Sequence, residues 1–161
     1  MVILYGPAQG LVLLYGMNRR LPLIIRIAAA LIIDDQGQLL LVRKANTEWF
    51  MQAGGKIEAG ESALAALQRE LLEEINVTID DQQIRYLGCF SAPAANEPDY
   101  TVEAELYHLQ QPHSSITVSG EVSEALWVYP RAAEALKLAP LTRFHVLPLA
   151  RTLEQKNRDH F

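Results

Sequence analysis

Two kinds of apolar pattern divide this chain. Residues 24–33 (IIRIAAALII) and 38–44 (QLLLVRK) are short runs rich in branched apolar side chains. They are separated by DDQGQ, whose Gly37 marks a turn, so they predict two consecutive strands. The first run does not alternate, which predicts a strand covered on both faces. From Ser62 to Ile75 the period changes. Leu64, Leu67, Leu71 and Ile75 recur at spacings of three and four, the stripe of a helix packed on a core. Ser62 supplies an N-cap, and no Gly or Pro interrupts the run from there to Ile75. Between these elements, ANTEWFMQAGGKIEAGE predicts a loop with a short extended piece at WFMQ. Later runs predict strands at 84–92, at 100–109 and near 115–119, and another over EALWVYP, ended by Pro130. RAAEALKL and LTRFHVLPLARTLEQ read as helical, with Pro148 a kink or boundary and QKNRDHF frayed and solvated. Strands framed by an early and a late helical region predict an α/β fold: a mixed sheet between helical layers, an α/β/α sandwich.

Composition adds bounds. A chain of 161 residues, half of them apolar and 20% charged, is the size and profile of one globular domain. Its net charge of −5 supplies no general basic field, so a nucleic-acid partner is not expected. A phosphorylated small molecule would need local basic groups. Cys89 is the single cysteine, which excludes an internal disulfide, and its apolar neighbours in LGCFSA predict burial. Residues 1–16 are apolar, but they lack a basic start and are broken by Pro7 and Gly10, so neither a secretion signal nor a membrane span is expected. The near copies VILYG and LVLLYG flanking PAQG predict a hairpin extension, with Met17 an alternative start of a single domain over 17–161. That extension is a candidate for covering a sheet edge or joining a homodimer interface. A cytoplasmic location is expected.

The chemistry centres on the 62–75 helix. At about 100° per residue, Glu70, Glu73 and Glu74 share a sector beside the apolar stripe. Clustered carboxylates near a helix C-terminus repel one another and oppose the helix dipole. A hard divalent cation reverses that sign, since oxygen ligands on one face are what Mg2+ or Mn2+ takes. A solvated acidic face is the bland alternative. The loop before the helix favours the cation: Gly54, Gly55, Lys56 and Gly60 permit close backbone approach to a ligand. Arg69 is placed to reach Glu73 at i+4 or back to Glu61.

These residues resemble the Nudix box, G-x5-E-x7-R-E-U-x-E-E-x-G-U with U a bulky apolar residue. Gly55, Glu61, Arg69, Glu70, Leu71, Glu73, Glu74 and Val77 match eight of its nine specified positions over 23 residues. Asn76 stands in place of the glycine; among non-glycine residues Asn tolerates the left-handed cap well. Ala53 replaces a proline common in relatives.

The resemblance implies metal ligation by Glu70, Glu73, Glu74 and the Gly55 carbonyl, with Glu61 a supporting carboxylate oriented by Arg69. It implies a late carboxylate before the tryptophan strand, Glu121 or the nearby Glu124; Glu121 reads equally as a turn residue after Gly120. The base could be Glu73, Glu70 or Glu121. Arg43 and Lys56 are candidates for phosphate contacts, while Arg26 in its apolar strand is expected to be paired elsewhere. Glu103 and Glu105, alternating with apolar neighbours, are expected to face solvent. The implied activity is metal-dependent hydrolysis of a diphosphate bond in a nucleoside diphosphate derivative, first a nucleoside triphosphate. ADP-ribose, nucleotide sugars and dinucleoside polyphosphates stay open, as does a nucleotide sensor without catalysis. A prenyl diphosphate isomerase would require an active-site cysteine, which Cys89 in its apolar strand does not offer.

Overall fold

The computed structural model describes residues 3–5, 11–13 and 23–160. Near the N-terminus, β1 (Ile3–Tyr5) pairs antiparallel with β2 (Leu11–Leu13). The hairpin expected around the PAQG segment and the alternative start at Met17 fall on residues 6–10 and 14–22, which lie outside the described residues.

β3 (Leu23–Ile33) and β4 (Leu39–Lys44) are joined by a turn in which Asp34 Oδ1 accepts from the Gln36 and Gln38 amides at 2.9 and 2.8 Å. They pair only at Ile33 and Leu39 and then part. Past that point β3 pairs on one side with β6 (Gly54–Lys56) and on the other, in parallel, with β8 (Tyr100–Gln110). β4 pairs with β5 (Phe50–Met51) and β9 (Val122–Val128), and β7 (Ile84–Pro93) lines the far edge of β8. One parallel pairing among antiparallel ones makes the sheet mixed.

From Ala28 to Ile33 the unbroken apolar run of β3 has the expected cause, whereas Leu23, Ile24 and Arg26 before it stay open to solvent. Ala28, Ala30 and Ile32 point into one core, against Ala66, Leu67, Leu71 and Ile75 of α1 (Ala63–Ile75). Ala29, Leu31 and Ile33 point into the other, against Ala133 of α2 (Pro130–Ala133) and Leu147 and Ala150 of α3 (Leu147–Arg158). The period-two geometry of a strand thus feeds two helical layers from one run.

Several expectations change. No strand forms at 115–119. Residues His113–Ser115 make a 3-10 turn, and the segment after it turns its donors to α1 instead of to a neighbouring strand. On α1 the stripe is shifted: Leu64 is half-buried, Ala66 is fully buried, and Leu72 is 52% exposed. Helix over RAAEALKL stops at Ala133, while α3 continues through QKNR to Arg158, exposed rather than frayed. Before it, Thr142–Val146 is wound as a π-helix that runs straight into α3, and Pro148 sits just past that junction.

Cys89 is exposed, not buried. The β7–β8 register shifts between Tyr86 and Gly88, so Leu87 and Phe90 both turn inward and leave Cys89 outward. Burial of its flank and the nearby Glu105 and Glu103 carboxylates push its thiol pKa up. Glu103 and Glu105 are half-buried rather than open to solvent, 3.7 and 3.9 Å from Arg26, and Glu105 also accepts from the Tyr86 hydroxyl.

Candidate active site

The acid cluster is built from both ends of α1. At the N-terminus, Ser62 Oγ accepts from the Ala65 amide at 3.1 Å. At the C-terminus, Asn76 adopts φ 57° and ψ 34°, the left-handed cap that a glycine usually takes. Its Nδ2 also donates to the Thr117 carbonyl and to Ser119 Oγ, at 2.6 and 3.0 Å, which glycine could not do. The Thr117 and Ser119 amides donate to the carbonyls of Ile75 and Glu74, and Ser119 Oγ to that of Glu73. Three carbonyls that a helix end leaves unpaired are thereby satisfied from 42 or more residues away. This splint carries Gly120, at φ +58°, and with it Glu121. An open pocket is lined by Glu58, Arg69, Glu70, Glu73, Glu74, Gly120 and Glu121.

Arg69 organises the near side of that pocket. Its Nε and Nη2 each donate to one oxygen of Glu61, both at 2.9 Å, and Nη1 donates to Glu70 at 2.8 Å. Glu73 is farther, 3.7 Å away, so Arg69 reaches back rather than to i+4. The fork holds the Glu61 carboxyl down to about 2, helped by the Glu58 amide, and raises the guanidinium pKa in return.

Glu74 faces inward. Its side chain is 4% exposed, Oε1 lies 2.9 Å from Lys44 Nζ, and Oε2 accepts from the Gly54 amide at 3.1 Å. Burial pushes its pKa up, against the pull of Lys44 and Gly54. Lys44 also donates to the Gly54 carbonyl at 3.1 Å. Gly55 packs so closely on Glu70 that a Cβ there would stand 2.5 Å from the carboxyl carbon. A backbone carbonyl and carboxylates in one cradle are the hard oxygen donors of a divalent cation site. Among the described residues no three such side chains already converge on one point. Each glutamate leans instead toward its nearest cation, Glu70 and Glu73 toward Arg69 and Glu74 toward Lys44.

Of the late carboxylates, Glu121 lines this pocket, whereas Glu124 is held away by Arg43 Nε at 3.1 Å. Arg43 also donates to the Thr47 carbonyl, so it is tied at both ends. Lys56 is 69% exposed and 3.8 Å from Glu97.

Beyond the Gly54–Gly55 wall lies a second cavity of about 220 Å³, lined by Ile25, Ile27, Lys44, Lys56, Val102 and Leu141 among others. Gln52 and Thr142 belong to it, both buried, with the Thr142 hydroxyl donating to Gln52 Oε1 at 2.7 Å. Gln52 Nε2 has no partner among the described residues, at a cost of roughly 1–3 kcal/mol for a buried donor. Sequence reasoning missed Lys44 and Gln52. The one signal was polarity close to an apolar run, Lys44 two residues past LLLV and Gln52 directly after WFM.

A family model of the NUDIX domain matches residues 24–150. The chain belongs to the Nudix family. Its class is that of the Nudix pyrophosphohydrolases, which act on phosphorus-containing anhydrides. An 8-oxo-dGTP diphosphatase of Haemophilus influenzae is 28% identical over 121 residues, 73% of this chain and 85% of that protein. A Nudix hydrolase of Deinococcus radiodurans is 28% identical over 134 residues, 74% of this chain and 77% of its own length. Among solved structures, a MutT protein from Methanosarcina mazei superposes with a TM-score of 0.66 at 21% identity, over 82% of this chain and 96% of that one. The Nudix fold expected from the box is therefore the fold observed. Among the described residues no helix is long and apolar enough to cross a membrane.

Proposed function

We propose that this Nudix chain hydrolyses the diphosphate bond of a nucleoside triphosphate with Mg2+ or Mn2+. The observation that supports it most directly is the single pocket shared by Glu70, Glu73, Glu74 and Glu121, with Arg69 braced on Glu61 behind it. Glu70, Glu73, Glu74 and the Gly55 carbonyl would hold the cation. When bound, it would supply an activated water and neutralise charge on the departing phosphate. Arg69 keeps Glu61 ionised and holds Glu70 in place. Glu73, the most exposed of the row, and Glu121, which lines the same pocket, are the carboxylates placed to take the proton from attacking water. Lys56, on the cavity wall beside Gly55, is assigned to the substrate phosphates. Arg43 remains a phosphate candidate only if substrate displaces Glu124. The Haemophilus influenzae relative, a diphosphatase of 8-oxo-dGTP, supports a purine nucleotide of that size.

The test is a nucleotide panel assayed with Mg2+, with Mn2+ and with EDTA, products identified by mass. Release of phosphate or pyrophosphate is expected only with metal. Glu73→Gln should lose roughly a hundredfold or more, in the range of lost general acid–base catalysis, and keep its melting temperature. Undiminished turnover in that variant, or in EDTA, would overturn the reading.

A further inference from the structure

We propose that Gln52, oriented by Thr142, reads the substrate's base and selects guanine over adenine. The inference rests on the proposed nucleotide hydrolysis and names the substrate class of that same site. Gln52 is 4% exposed and Thr142 fully buried, yet both line the cavity that shares Gly54, Gly55 and Lys56 with the approach to the acid cluster. A phosphate chain over those residues leaves its nucleoside in this cavity, whose walls from Ile25, Ile27, Val102 and Leu141 suit the faces of a flat ring.

Within that apolar lining the Gln52 amide is the deeply buried polar group left unsatisfied. Its Oε1 takes the Thr142 hydroxyl at 2.7 Å, while Nε2 is without a partner among the described residues. Buried amides are almost always paired, so an orphan donor in a cavity wall points to a ligand acceptor. Thr142 decides which acceptor. A glutamine with both amide atoms free reads adenine, accepting from its amino group and donating to ring nitrogen N7. Here one lone pair of the oxygen is taken by Thr142, and the two N–H donors are the part of the amide left wholly unused. Guanine presents two acceptors, O6 and N7, on the matching edge; adenine presents an amino donor beside its acceptor. Both unused N–H donors therefore find acceptors on guanine, whereas on adenine only N7 accepts and the neighbouring amino group meets them donor to donor.

The experiment compares kcat/KM for GTP and ATP in the wild type, in Gln52→Met and in Thr142→Val. The wild type is expected to prefer GTP about ten- to a hundredfold. Gln52→Met, similar in volume and lacking the donor, should bring the ratio within about threefold, by slowing GTP rather than quickening ATP. Thr142→Val, which frees the amide to flip, should lower the ratio partway. Equilibrium binding of GMP and AMP gives a second reading that needs no turnover, and it holds for Thr142→Val if Gln52→Met does not fold. Equal use and equal binding of the two nucleotides by the wild type would overturn the proposal, as would a preference unchanged in Gln52→Met or, if that variant does not fold, in Thr142→Val. A chain that binds GMP over AMP but hydrolyses nothing would sink the proposed function and leave this inference standing.

Discussion

Lys44 Nζ sits 2.9 Å from Glu74 Oε1, and the carboxylate it neutralises is the most buried of the acidic row. The lysine ends β4 and the glutamate lies near the end of α1, so the pair ties sheet to helix beneath the site. Removing one partner strands a charge away from water, whereas removing both does not. In EDTA, Lys44→Met should lower unfolding stability by about 2–3 kcal/mol, at the low end for a buried pair because the lysine is partly exposed. Lys44→Met combined with Glu74→Leu should recover at least half of that, read from urea unfolding. Additive losses would show the pair is not coupled.

The Glu61–Arg69 fork gives a pH signature. A carboxyl held low in the folded chain adds stability that is complete above its ordinary value of 4.5 and is lost as the pH falls toward about 2. Glu61→Gln lacks that contribution at every pH. The gap in stability between wild type and variant should be full above pH 5 and close as the pH approaches 2, followed by chemical denaturation across the range. A gap that widens in acid would refute the assignment of the shift to the fork.

Neighbouring glycines should fail in different ways. A Cβ on Gly54 would stand 2.2 Å from the Ala28 carbonyl oxygen and 2.6 Å from Ala29 Cα, backbone atoms that cannot turn aside, at a φ of +148°. Gly54→Ala should therefore fold poorly or not at all. On Gly55 the clash is with the Glu70 carboxylate, a side chain that can swing away. Gly55→Ala should keep a melting temperature within a few degrees of wild type and lose at least tenfold in kcat, if the position of Glu70 matters to the chemistry. Thermal unfolding beside steady-state rates separates the two.

The features legible in the sequence were mostly local. Ser62, the glutamate row and Asn76 act within one helix, and a period of 3.6 reports them. The two-faced burial of Ala28 to Ile33 in β3 was also legible, because a segment serving two cores has no polar side to show. The 115–119 segment was misread since its donors answer carbonyls of α1, a partnership that no local pattern records. Cys89 was misplaced by a bulge, which turns every later side chain of β7 over. Arg43 was singled out and Lys44 passed over because the sequence does not say which of them turns toward the acid row. Adjacent on one strand they face opposite ways, one toward Glu124 and the other toward Glu74. Gln52 was invisible as a reader because its partner is 90 residues distant.

The splint from Thr117 to Ser119 has a consequence in time. A chain leaving the ribosome presents the whole Nudix box by residue 77, long before the segment that closes the last turn of its helix. Until then, the Glu73, Glu74 and Ile75 carbonyls have only solvent, and Glu121 does not yet exist. The half-made protein thus carries its acidic row on an unfinished helix and acquires a settled pocket only when the following 44 residues have been added.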